Sequence, residues 1–242
     1  MTASRARDRA TFGVTPGENS VVTKWVPYPA ILEKNRLDAI RTAVQPLAIQ
    51  VPRSSINKQN HNELVLEDIG DHWSLLEQIR DEPFSIATTE AVRTCGRALA
   101  AIHQHSAHEA EAPLVVAHGD FSTQNVLLTH PETEGAPGGG LSIWLIDPAP
   151  NYYSSFDVGE LQDRRLDVAT FTLRTLWPFR VSTYSSLVSL LRLRVSFLAS
   201  YNDYSQRSAV TSWTLLQFEL RLLVRYLLNR RILRLQNKER QK

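Results

Sequence analysis

His118-Gly-Asp-Phe-Ser-Thr-Gln-Asn125-Val-Leu-Leu128, followed by the apolar run Leu141-Ser-Ile-Trp-Leu-Ile146 and then Asp147-Pro148, is the stretch that decides how this chain folds. Two acids and an amide flank two short apolar runs, with Asp120 and Asn125 at the start of the first and Asp147 just after the second. The runs Asn125–Leu128 and Leu141–Ile146 read as the arms of a hairpin, joined by a Pro- and Gly-rich connection from Thr129 to Gly140. Closing that hairpin brings Asp120, Asn125 and Asp147 to one edge. Such a set of oxygen donors suits a hard cation, because Mg2+ takes oxygen ligands, usually one or two protein carboxylates with water and phosphate.

Working outward, the β-prone run Ser20–Val26 predicts a strand that contains Lys24, entered from a turn and ended by Pro27 and Pro29. Ile31, Leu32, Leu37, Ile40 and Val44 recur at helical spacing, so Ala30–Val44 is expected to be a helix with Glu33 in its first turns. Leu64–Glu67 predicts a second strand, and Asp68-Ile-Gly-Asp71 a loop. Thr88–His105 predicts a buried helix, with Thr88 or Thr89 as its N-cap. Leu114–Ala117 is a further short apolar run, and beyond Leu161 the pattern is helical, broken at Trp177-Pro178 and near Asn202. Strands first and helices last make an α+β chain.

The chain has 242 residues, 43% hydrophobic and 21% charged, enough for one large domain or two small lobes with a real core. A net charge of +2 is too small to argue by itself for a nucleic-acid partner, and none is expected. The single cysteine, Cys95, excludes an intramolecular disulfide and fits a reducing compartment. The charged N-terminus lacks the apolar run of a secretory signal, and no apolar stretch reaches the ~20 residues of a membrane span, so a cytoplasmic protein is expected. The oligomeric state is left open.

His-Gly-Asp, four residues, Asn, and then an Asp after the following strand resembles the motif of aminoglycoside phosphotransferases. Those are small-molecule kinases of the protein-kinase-like fold. The resemblance implies a bilobal α+β protein, with a reduced nucleotide-binding β lobe over residues 1–70 and a mainly helical lobe over residues 71–242 that carries the catalytic loop and metal site. It implies ATP and Mg2+ as cofactors, with Asp120 as the base toward the acceptor hydroxyl and Asn125 and Asp147 as metal ligands. Lys24 resembles the strand lysine that contacts the α- and β-phosphates, and Glu33 its helix partner. Leu64–Ile69 is similar to the hinge of that family, where backbone groups of Glu67 and Ile69 would hold adenine. Gly96–His103 resembles the helix before the catalytic loop, and Asp167 the acid that braces this loop.

The implied partner is a small-molecule hydroxyl acceptor, aminoglycoside-, amino sugar- or ketosamine-like. Asp147-Pro-Ala with Tyr152-Tyr153 nearby is similar to fructosamine kinases, and Phe156, Asp157 and Glu160 are candidate acceptor contacts.

Other readings compete. Gly13 and Gly17 are the only glycines in the stretch leading to Lys24, which favours a catalytically weak kinase-like binding or scaffold protein. His103, His105 and His108, with His118 and Asp120 downstream, invite a metal-hydrolase reading with a transition-metal site, although three closely spaced histidines at a helix end more often lie on the surface. His118 is expected to order its loop rather than carry protons. The run Leu215–Leu235 predicts an amphipathic core helix whose basic face, with Arg221, Arg225, Arg230, Arg231 and Arg234, is solvated. Trp73, Trp144 and Trp213 are expected in the core or a groove, and the lack of an Ala-Pro-Glu segment after Asp147 argues against a protein kinase.

Overall fold

The computed structural model describes residues 12–15, 21–26, 28–105, 114–130, 141–148, 161–176, 184–205 and 209–224. Four antiparallel strands come first: β1 (Phe12–Thr15), β2 (Val21–Trp25), β3 (Ser54–Ile56) and β4 (Glu63–Glu67), in the order β1-β2-β4-β3. In β2 the side chains alternate, with Lys24 5% exposed and Trp25 39% exposed. Because β2 lies between β1 and β4, pairing Lys24 with Phe12 and Leu64, Lys24 is not a solvated edge residue.

Helix α1 (Ala30–Val44) starts after Pro29, as the apolar spacing predicts, and buries Glu33, Arg36, Leu37 and Ile40 on one side. A single 3-10 turn, Gln45–Leu47, follows. The chain then runs past Gln50, which exchanges backbone bonds with a later strand: Gln50 N–H to Ile143 O (2.9 Å) and Leu145 N–H to Gln50 O (2.9 Å).

A second sheet has the order β5-β7-β8, with β5 Trp73–Ser74, β7 Val126–Thr129 and β8 Ser142–Leu145. The expected hairpin is β7 with β8, in the register Val126 opposite Leu145. Helix α2 (Leu75–Asp81) begins with a capping box in which Ser74 and Glu77 satisfy each other's backbone N–H. Its Leu76 N–H also donates to Thr123 O at 3.0 Å, tying the helix start to the loop before β7.

Helix α3 (Ile86–His105) begins two residues before the expected Thr88. The Ser85 hydroxyl accepts the Thr88 N–H (3.0 Å), while buried Thr88 donates its own hydroxyl to Glu82 O (2.7 Å), so neither Thr88 nor Thr89 is the cap. Strand β6 (Leu114–Val116) pairs with β9 (Leu161–Asp163), where a continuous helical pattern is expected. Three residues are too few for periodicity to show, and this pairing is long-range.

Helices α4 (Arg164–Leu176) and α5 (Tyr184–Tyr204) and a helical segment at 212–224 complete the described residues. In that last segment Leu215 and Leu222 are buried, but Leu216, Leu220, Val224 and Trp213 are exposed, the tryptophan by 74%. Part of the apolar side of the expected core helix, at Leu216, Leu220 and Val224, and Trp213 with it, is thus corrected to the surface. The Trp177-Pro178 break and Arg225 onward lie outside the described residues, as do Gly17 and His108.

The core runs through both sheets and the helices, with Phe121, Phe171 and Phe197 in sequence contact: Phe121 and Phe171 are 5.4 Å apart, and Phe171 stacks on Phe197 at 4.2 Å. Helices α3 and α5 pack closely at Gly96, where an added Cβ would lie 2.6 Å from Phe197 O and 3.0 Å from Tyr201 N. Both are backbone atoms, so a Gly96→Ala variant must push the helices apart. We expect it to lose about 1–3 kcal/mol, or roughly 2–12 °C in melting temperature. An unchanged melting curve would show that the helices separate at no cost.

Candidate active site

Lys24 is the hub of the first half of the site. Its Nζ donates to Glu33 Oε1 at 2.6 Å and to Asp147 Oδ1 at 2.8 Å. Glu33 receives a further bond from the Tyr28 hydroxyl at 2.8 Å. Burial by itself would lower the Lys24 ammonium, but the Asp147 and Glu33 carboxylates outweigh it and hold the group above its ordinary value. A lysine this buried keeps its charge only because two carboxylates answer it. Strand β2, helix α1 and the residue after β8 thus meet at one nitrogen.

The second half is the loop from His118 to Asn125. Gly119 has φ +89°, in the left-handed region that a side chain would oppose, which is why the motif carries glycine there. Asn125 closes the loop: its Nδ2 donates to Asp120 O (2.9 Å) and Asp120 Oδ2 (3.0 Å), and its N–H to Ser122 O (2.9 Å). The Asn125 carbonyl accepts the Ile146 N–H at 3.1 Å, so the same residue holds the end of β8. Asp147 follows directly with φ +54°, a left-handed conformation that Asp tolerates better than most side chains. The structure therefore joins Asp120 to Asn125, Asn125 to the residue before Asp147, and Asp147 to Lys24 and through it to Glu33.

Burial raises the Asp120 carboxyl to about 6, with Arg174 and the Asn125 bond pulling the other way. A carboxylate poised there is ionised at neutral pH yet basic enough to accept a proton. His118 behaves oppositely: complete burial brings its imidazole down to about 4, and it stays neutral. Neither ring nitrogen of His118 makes a hydrogen bond among the described residues. The Ile146 backbone lies close enough to favour the charged ring, short of a well-formed bond. The ring sits edge-on to Phe121 at 5.3 Å.

Asp167, wholly buried on α4, anchors the loop from behind. Its Oδ2 accepts the His118 N–H (2.7 Å) and lies 3.2 Å from His103 Nε2, and its Oδ1 accepts the Gly119 N–H (3.0 Å). Burial would raise this carboxyl, but the His103 ring and the His118 amide more than offset it and keep it below its ordinary value. His103 is thus a buried partner of Asp167 and of the Tyr201 hydroxyl (2.9 Å), which corrects its expected place on the surface; His105 is exposed. Tyr28, Arg36 and Tyr201, and the partners of His103, escape the sequence reading, because they are set by tertiary packing.

Glu67 and Ile69 stand apart from this cluster. The Glu67 N–H is already spent on Arg53 O (2.9 Å), and its side chain accepts the Arg53 N–H (3.0 Å), which leaves the Glu67 carbonyl as its remaining backbone group. Ile69 is half-buried on the following loop, where Gly70 has φ +68°. Phe156, Asp157, Glu160, Tyr152 and Tyr153 lie outside the described residues.

The donor set at the loop fits a hard cation. Asp147 offers a carboxylate, and Asn125, with its Nδ2 turned to Asp120, has its amide oxygen left to give. Among the described residues, which do not include His108, no group of three or more His, Cys, Asp or Glu gathers as a metal site. No helix among them is long and apolar enough to cross a membrane.

No protein-family model matches the chain, and no curated protein matches it in sequence. Solved structures do. The chain is similar to the amicoumacin kinase hAmiN, solved in complex with AMP-PNP, Ca2+ and Ami, with a TM-score of 0.54 and 14% identity over 92% of this chain and 79% of that one. It is similar also to an aminoglycoside-3'-phosphotransferase of type VIII, with a TM-score of 0.53 and 14% identity over 91% of each chain. The chain has the protein-kinase-like fold of these small-molecule kinases.

Proposed function

We propose that the protein transfers the γ-phosphate of ATP to a hydroxyl group of a small molecule. The observation that carries this reading is the single bonded chain from Glu33 through Lys24 to Asp147 and, by way of the Ile146 N–H and Asn125, to Asp120. A cation, a metal-type donor pair and a poised base lie in the order phosphoryl transfer needs. Residues 1–70 form the nucleotide lobe and residues 71–242 the catalytic lobe in this reading.

In the reaction, Asp120 accepts the proton of the acceptor hydroxyl as its oxygen bonds to the γ-phosphorus and the bond to the β–γ bridging oxygen breaks, releasing ADP. Lys24, held by Glu33, meets the α- and β-phosphates and neutralises charge that builds on them. The Glu67 carbonyl and the Ile69 backbone face adenine. Asp147 and Asn125 would hold Mg2+, which would supply charge neutralisation on the phosphate oxygens. The acceptor is an amino sugar, aminoglycoside or ketosamine class of alcohol. The competing reading, a kinase-like binding or scaffold protein, is favoured only by the sparse glycines before Lys24.

The test is ADP release by the purified protein with ATP, Mg2+ and a panel of hydroxyl-bearing acceptors, with Asp147→Ala alongside. Acceptor-dependent release that the variant lacks supports the phosphotransferase. Nucleotide binding without turnover on any acceptor would favour the scaffold.

A further inference from the structure

Lys24 on β2 and Glu33 on α1 are only nine positions apart, and Tyr28 lies between them in the short connection from strand to helix. The Glu33 side chain is 1% exposed, and each oxygen of its carboxylate takes a donor: Oε1 the Lys24 ammonium at 2.6 Å, Oε2 the Tyr28 hydroxyl at 2.8 Å. The connection that carries Tyr28 is tied down on both sides. The Val26 N–H donates to Asn62 O at 2.8 Å and the Ala30 N–H to His61 O at 2.9 Å, so the turn before β4 fixes the backbone on either side of Tyr28. Pro29, at φ −56°, keeps the narrow range that proline allows and leads straight into α1. The tyrosine ring is half-buried and packs against the core. The hydroxyl therefore reaches Glu33 from a rigid base.

A glutamate held by one oxygen keeps the freedom of its last torsion, which is broad and roughly two-fold. A second donor on the other oxygen removes that freedom. It fixes the plane of the carboxylate, and with it the direction from which Oε1 meets Lys24. A buried oxygen left without a donor would also carry the cost of its lost hydration. Burial and then the Glu33 charge push the Tyr28 hydroxyl up, so it remains a donor at neutral pH.

We propose that Tyr28 is a positioning residue, which locks the Glu33 carboxylate by its second oxygen and thereby fixes the place of the Lys24 ammonium before any nucleotide binds. Its purpose rests on the phosphotransfer reading, in which Lys24 meets the phosphates, but the restraint itself does not need turnover to be seen. All three members lie within residues 24–33, so the restraint is independent of Asp147, which reaches Lys24 from 123 positions away.

Tyr28→Phe keeps the ring and its packing and removes the hydroxyl. In the full chain without nucleotide, hydrogen exchange of the Lys24 ammonium, followed by NMR at one fixed pH, is expected to quicken at least about tenfold relative to the core amides of α3. The signal is identified by its absence from Lys24→Arg. The effect has to pass through Glu33, so in a Glu33→Gln background Tyr28→Phe is expected to change that exchange by less than about twofold, as for groups that act as one. In turnover, Tyr28→Phe lowers kcat/KM for ATP about tenfold, chiefly through KM, because Lys24 meets the phosphates already in the ground state. A loss of folded protein would instead lower the apparent kcat and leave KM where it was.

Lys24 exchange that is unchanged in Tyr28→Phe, or that quickens only in step with α3, would overturn the proposal. So would an equal effect of Tyr28→Phe with and without Glu33, or a wild-type Lys24 ammonium that exchanges as fast as an exposed lysine. Should Glu33→Gln fail to fold, the exchange in Tyr28→Phe alone decides. A wild-type protein that transfers no phosphate refutes the functional reading alone, and the Lys24 exchange still judges Tyr28.

Discussion

Asp120→Asn is expected to lower kcat by about 100- to 10,000-fold, the usual worth of a positioned base, while nucleotide affinity stays within a few-fold. The substitution keeps the shape and the acceptor toward Asn125 Nδ2, so the loop closes as before. Two further readouts follow from the carboxyl that burial raises to about 6. The wild-type kcat/KM should fall about tenfold for each pH unit below 6, as the base becomes protonated. Stability moves the other way. A carboxyl whose folded pKa is raised stabilises the native state below its unfolded value near 4 and loses that contribution as pH climbs through about 6. At neutral pH the ionised Asp120 therefore costs about 3 kcal/mol. Asp120→Asn relieves part of it, and a melting temperature higher by roughly 2–4 °C is expected. A variant that is inactive and melts lower would show that Asp120 supports the fold and not the chemistry.

Asp167→Asn should fail in the opposite way. The carboxylate is wholly buried and accepts from two backbone amides and faces a histidine, and an amide in its place presents an N–H where an acceptor is required. Removing one member of a buried charged set costs about 3–5 kcal/mol, which for a chain of this size is roughly 6–20 °C of melting temperature. The His118 and Gly119 amides, left with half an acceptor, no longer hold the loop, and turnover falls with stability. Calorimetry and kinetics on the two variants together separate the roles: one loses rate and gains stability, the other loses both. An Asp167→Asn protein that melts with the wild type would mean that the loop is held by its own internal bonds.

What was legible in advance is local. Helix α1 has its expected bounds because apolar spacing and the Pro29 start act within a few residues. The β7–β8 hairpin follows from two apolar runs and a turn-rich link. The start of α3 was misplaced because Ser85 and Thr88 compete for the same cap, and the winner is set by the Glu82 carbonyl to which Thr88 turns. Strand β9 was missed because its partner lies nearly fifty residues earlier and three residues carry no period.

The sequence by itself determined which residue types the site contains and their order: a strand lysine, a helix glutamate, and the Asp120, Asn125 and Asp147 spacing. It could do so because motif chemistry and helix or strand periodicity are properties of short stretches. Only the tertiary structure decided that Lys24 reaches Asp147 across 123 positions, that His103 faces Asp167 across 64, and that Arg36 is buried without a partner. The charge of a buried group is set by what packs around it, and a linear pattern in which any charged residue looks solvated cannot express desolvation.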